Sequence, residues 1–409
     1  MGSRLLGRAR PLVAAALAVA SLTLVPGTGA DAASGRAARP GDSIWSAVPS
    51  PSPGRGVFNA FLTSASAVSP DDAWAVGIRT TESAKDQTLA LHWDGSAWSA
   101  VPSPNRSGKN NDLNGVAAIA TDDVWAVGQV ALRNNTEART LALHWDGTSW
   151  SPVPTPNPAT AFGSYNTLLS VSAIASDDVW AAGWSSNPDL NTIQMLFEHW
   201  DGHRWSLAQS PTPLGSFQFA NGVFAIASDD VWAVGDDQTH SPSASLSAHW
   251  DGQKWTIVPT PRFGGGEEAL HAVVASGPDD VWAVGDDLPG GSVVGASPVA
   301  MHWTGSGWKL ASVPSPGPGG ARLFGAAVLG SGDVWAVGEQ ADRRTGEQFT
   351  FTEQWNGSAW SIVDSPNVGH QNTLLGPTAI APSTVWAVGA HEPTTGCCLR
   401  TLVLQTDQG

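Results

Sequence analysis

Two cysteines in 409 residues, side by side at Cys397 and Cys398, leave no way to staple one part of the chain to another. A disulfide framework is thereby excluded, and a cysteine-based metal site would want more ligands at C-x-x-C spacing. In an oxidising compartment the adjacent pair has three fates: a strained vicinal disulfide, an intermolecular bond, or two free thiols. Long apolar runs are equally scarce. Past residue 24 no stretch approaches the roughly 20 apolar residues of a membrane helix. Basic residues number 20 against 36 acidic ones, for a formal charge of −16. Nucleic acid and anionic membrane both need a basic footprint, so neither is expected as a partner. Tyrosine occurs once, at Tyr165.

The one apolar run lies at the N-terminus. Arg4, Arg8 and Arg10 precede an uncharged stretch from Leu12 to Leu24, and Ala30-Asp31-Ala32 supplies small residues for cleavage. Residues 1–32 therefore read as a secretory signal, and the absence of an Arg-Arg pair favours general secretion over a twin-arginine route. Residues 33–42 read as a disordered leader and 43–409 as the folded domain. Loss of the signal takes the formal charge to −18. The expected product is extracellular, soluble, monomeric and not inserted in a membrane, its acidity serving mainly solubility.

Against these shortages stands an abundance of tryptophan, 21 residues in all. The pattern Trp-Ala-(Val/Ala)-Gly occurs seven times, with tryptophans at Trp74, Trp125, Trp180, Trp232, Trp282, Trp335 and Trp386, spaced by 51, 55, 52, 50, 53 and 51 residues. Short strands with Gly and Trp signatures at this period describe a β-propeller blade, and no helical period competes. Each repeat divides into four strands. Around Trp125 they are 115–120 (strand A), 124–128 (B), 141–145 (C) and 150–153 (D), with Thr121-Asp122-Asp123 turning A into B and Asp146-Gly147 turning C into D. Strand A is rich in Ala, Ser and Gly, which fit the crowded axis; strands B to D carry the tryptophans, which fill the wider rim.

The ends of the chain complete the count. The last repeat stops after its strand C, Leu402 to Gln405, whereas Ser43 to Pro49 matches the strand D of other repeats. The expected fold is all-β: a seven-bladed β-propeller of four-stranded antiparallel blades, its ring closed by the N-terminal outer strand so that no sheet edge is left to extend. On these motifs the chain resembles secreted bacterial seven-bladed propellers, broadly of kelch/galactose-oxidase-like or Asp-box-like type. It departs from both patterns, with one glycine after strand B where kelch repeats have two, and an Asp94-Gly95-Ser-Ala-Trp98 turn one residue shorter than an Asp-box. Resemblance to copper radical oxidases would imply several tyrosines and a Tyr-Cys partner, which Tyr165 alone cannot supply. Resemblance to sialidases would imply an Arg-Ile-Pro signature, which is missing.

Recurring residues belong to the scaffold. Asp pairs at Asp71/Asp72, Asp122/Asp123, Asp177/Asp178, Asp229/Asp230 and Asp279/Asp280 repeat at one turn and suit turn capping. Histidines before the strand-C tryptophan, at His92, His144, His199, His249 and His302, suit a repeated hydrogen bond. Function is sought where the repeat breaks. Trp184 is the one tryptophan off the grid, just past a strand-B glycine, with Tyr165 in the loop entering the same blade. After the corresponding glycines stand Asp236 and Asp237, Asp286 and Asp287, and Glu339; Asn114, Asn221 and His271 sit at the entry of inner strands. Aromatic surfaces beside carboxylates suit sugars or cationic groups. The candidate ligand-binding set is Trp184, Tyr165, Asp236, Asp237, Asp286, Asp287, Glu339 and His271, with no metal and no cofactor. A non-catalytic binder of a glycan or extracellular protein, a polysaccharide-active hydrolase or lyase, and an envelope scaffold all remain open.

Overall fold

In the computed structural model, which describes residues 44–53, 59–132, 135–330, 332–394 and 398–406, 28 strands build seven four-stranded antiparallel blades. The expected signal (1–32), the leader (33–42) and Cys397 lie outside the described residues; Cys398 is buried. Blade 1 shows the plan: strands Ala60–Ser69, Asp72–Thr80, Asp86–Trp93 and Trp98–Val101 lie side by side in chain order. Blade 7 takes His370–Ala381, Thr384–Glu392 and Arg400–Thr406 from one end of the chain and Trp45–Ala47 from the other. Trp45 pairs with Thr406 and Ala47 with Leu404, which closes the ring. One added parallel bridge, from Tyr165 to Ala138, couples blades 2 and 3. Tyr165 is thus the first residue of an inner strand rather than part of a loop.

The tryptophans form the seams. Each strand-B indole packs on the indoles of the following blade: Trp282 lies 4.8 Å from Trp355 and 5.3 Å from Trp360 between ring centroids. Trp386 crosses the closure to Trp93 and Trp98 at 4.8 and 4.9 Å. The histidines stack on the same indoles, as His302 does on Trp282 at 4.2 Å. Each donates from Nε2 to the second aspartate of the A–B turn, at 2.9 Å for His92 and Asp72 and 2.7 Å for His302 and Asp280. In blade 6, Gln354 makes the equivalent bond to Asp333. These aspartates therefore tie strand B to strand C instead of capping their own turn, because they open strand B next to the tryptophan that pairs with the histidine. The capping acid sits at the C–D turn, where Asp94 accepts the amides of Ser96 and Ala97, both at 2.9 Å.

A bulge explains the glycine of the motif. In every blade the A–B register slips just past the residue facing that glycine, leaving Thr63, Asn114, Leu169, Asn221, His271, Phe324 and Leu375 as the extra residue. The inner strand then presses its carbonyl onto the glycine. A Cβ at Gly235 would lie 1.9 Å from the Phe219 carbonyl oxygen, and one at Gly285 2.0 Å from that of Ala269. Bulges bend a strand and re-aim side chains. Here the extra residue turns toward the neighbouring blade: Asn114 donates to the Leu168 carbonyl at 2.8 Å and Asn221 to that of Leu270 at 3.0 Å.

Two seams hold an unexpected acid. Glu198 and Glu353 occupy the strand-C position filled by Leu91, Leu143, Ala248, Met301 and Leu404 elsewhere, and both are fully buried with no hydrogen-bond partner on either carboxyl oxygen. Burial raises the pKa of Glu198 well above the usual carboxylate range and that of Glu353 to about 8. A folded-state pKa above the unfolded one means that stability is intact at low pH and declines as the pH rises through the folded value. Glu353→Leu is accordingly expected to stabilise the protein, by about 1–3 kcal/mol. The gain should be larger at about pH 9 than at about pH 5, as melting curves at both would show.

Candidate functional site

The B–C and D–A connections emerge on one face, and there a cavity of about 450 Å³ opens off the axis between blades 3 and 6. That volume lies in the range of small-ligand sites. Two rows of residues build its floor, and both follow from the bulge. One is the residue after the strand-B glycine: Trp184, Asp236 and Asp286 line the cavity, while Glu339 is buried beside it. The other is the bulge residue itself, giving Leu169, Asn221 and His271. On the opposite side of the ring the same rows carry no charge: they hold Leu375 and Ala390, Thr63 and Ile78, and Asn114 and Gln129, and Ile78 and Ala390 pack with Phe61 and Leu399. The polar cavity is therefore a local departure on a repeated frame.

His271 and Asp286 are joined at 2.8 Å between Nε2 and Oδ2, and the same oxygen takes the Nε–H of Arg322 at 2.7 Å. All three are more than nine-tenths buried. Burial alone would lift the pKa of Asp286, but the Arg322 guanidinium and His271 outweigh it and hold the carboxyl at about 2. An ionised carboxylate only accepts hydrogen bonds, so Nε2 of His271 must carry the proton. In the neutral ring Nδ1 is then a bare acceptor, and it has no partner in the fold. Asp236 answers from the next blade, accepting from Asn221 at 3.0 Å and Gln238 at 2.7 Å. Burial pushes its pKa up, an effect that those amides and His271 oppose and Asp286 reinforces. Glu339 is likewise raised by burial, to about 7, against the pull of Arg322. The Arg322 charge is held in turn by Asp286 and Glu339, which outweigh the cost of its burial and lift its pKa.

Of the residues singled out from the sequence, Trp184, Asp236, Asp286 and His271 meet at the cavity. Trp184 is only 3% exposed and packs edge-on to Phe219 at 5.6 Å, so it forms a wall rather than an open platform. Tyr165 stacks behind it at 6.2 Å and donates its hydroxyl proton to the Asn135 carbonyl. Asp237 and Asp287 follow one residue later on their strands and so point away from the cavity floor, by the two-residue alternation of a strand. There Asp237 accepts from Gln218 at 2.7 Å and Asp287 from the Gly266 amide at 3.0 Å. Sequence reasoning missed Arg322, Gln238, His240 and Glu267. Arg322 had a signal: it is the basic residue in an inner-strand row that otherwise reads Phe61, Asp112, Thr167, Phe219, Ala269 and Thr373.

The chain matches no protein family and no curated protein. By structure it is similar to a YCF48 bound to a D1 peptide, at a TM-score of 0.54 and 15% identity over 90% of this chain and 96% of that one. It is also similar to a polysaccharide lyase of the PL25 ulvan lyase family bound to -[GlcA(1-4)Rha3S]-, at 0.52 and 9% over 85% and 93% of the two chains. The polysaccharide lyase Uly1 scores 0.50 at 11% identity over 86% and 89%. At these identities the likeness establishes a shared β-propeller fold.

Proposed function

We propose that the protein is a secreted polysaccharide-active enzyme that cleaves a glycosidic linkage in this cavity by proton transfer. The observation that carries the reading is His271, oriented by Asp286 through Nε2 and presenting an unpartnered Nδ1 at the cavity floor. A buried, charged constellation at positions that are uncharged across the ring is costly to keep and marks a functional site. His271 is the proton acceptor, and Asp236, held by Asn221 and Gln238, anchors the sugar beside it. Hydrolysis and elimination both need a group that takes up a proton at the linkage. Asp286 positions His271 without reaching the cavity solvent, since it is fully buried. Solved polysaccharide lyases on the same fold support the choice of polymer.

A second reading, binding without turnover, is favoured by Phe162 and Leu214, which are 73% and 75% exposed in the D–A connections of the same face. The peptide-bound YCF48 structure supports it. A panel of neutral, amino and acidic polysaccharides separates the two. New reducing ends without ultraviolet absorbance mean hydrolysis, and both together mean elimination to an unsaturated sugar. Retained binding with neither signal on any polymer would overturn the enzyme in favour of the binder.

A further inference from the structure

We infer, building on the glycan-site reading, that the sugar held in this cavity carries a free amine. Three carboxylates border the cavity, from Asp236, Glu267 and Asp286, against one guanidinium. That guanidinium is already committed inside the protein: Arg322 bonds Asp286 at 2.7 Å, and Glu339 draws on it from behind. It is poorly placed to anchor an acidic sugar. Asp236, in contrast, has two neutral amides as its hydrogen-bond partners, Asn221 and Gln238. An ammonium group supplies the opposite charge that these amides lack, and a close ion pair in a partly desolvated site is worth far more than one in bulk water.

A second, independent observation comes from His271. Its Nδ1 is an acceptor with no donor in the fold, more than nine-tenths buried and set at the cavity floor. An N–H of an ammonium completes it. The field of the whole molecule acts in the same direction, since a chain of formal charge −16 draws cationic polymers and repels polyuronates. Glu267 lies on the cavity rim, where its carboxylate holds Ser241 and the Ser243 amide, and adds to the negative potential.

Calorimetric titration of the full chain with a glucosamine oligomer, its fully N-acetylated counterpart and a glucuronate-containing oligomer tests this. The amine oligomer is expected to bind at least ~10-fold more tightly than the acetylated one, about 1.4 kcal/mol, with the uronate oligomer weakest. The advantage should shrink with added salt and be lost in Asp236→Asn. Glu267→Gln, at a half-buried rim position, should reduce it in the same sense and provides the test if Asp236→Asn does not fold. Equal or tighter binding of the acetylated or uronate oligomer overturns the inference and leaves the glycan site standing. Failure of all three to bind overturns both.

Discussion

Trp282→Ala is expected to lower the unfolding free energy by about 3 to 5 kcal/mol, the range for deleting a fully buried large side chain. Trp282 is 1% exposed and touches three rings, those of His302, Trp355 and Trp360, so its removal opens a void between two blades. Blade faces are rigid sheets that cannot collapse onto such a void, which places the cost at the upper end for this class. Trp303→Ala is the internal comparison. Trp303 packs on Trp232 at 4.8 Å but is only partly buried, and its loss should cost clearly less. Denaturant unfolding followed by far-ultraviolet circular dichroism measures both; equal costs would mean that the seam does not bear the stability assigned to it.

His271→Gln should reduce turnover by ~10²–10⁴-fold, the usual contribution of a positioned acid or base. Glutamine retains a donor for Asp286 but offers no basic nitrogen at the position of Nδ1. Asp286→Asn is the paired experiment. It keeps the shape of the site yet leaves Arg322 without its closest anion, and it removes the acceptor that fixes the tautomer of His271. An unpaired buried charge costs about 3–5 kcal/mol, so this variant should lose both stability and rate, and its pH–rate profile should move. His271→Gln should lose rate at nearly unchanged melting temperature. A His271→Gln enzyme that turns over at the wild-type rate would remove His271 from the chemistry.

The fold was legible because its signals repeat. Seven copies of one tryptophan motif set the blade count, and the match between Trp45 and the strand-D tryptophans marks the closing strand. The site was legible in part, through residues off the repeat after the strand-B glycines. What hid the rest is the bulge. It inserts one residue into each inner strand and resets the two-residue alternation, so the sequence does not say whether His271 or its neighbours face the cavity. Arg322 sits one step before the paired leucine in a strand that is otherwise apolar, and its sequence does not show that it pairs with Glu339 beside the cavity. Asp237 and Asp287 were grouped with Asp236 and Asp286 because adjacency in sequence gives no sign of opposite orientation.

That bulge separates two kinds of inheritance in the molecule. In each blade, the extra residue and the one after the glycine can change identity without disturbing an indole seam, a ladder bond or the ring closure. Phe, Asn, His, Leu and Thr all occur at the first of these positions, and Ile, Gln, Trp, Asp, Glu and Ala at the second. Ligand choice on this frame can therefore drift, be duplicated from blade to blade, or be redesigned, while the stability of the ring is left to residues that never meet the ligand.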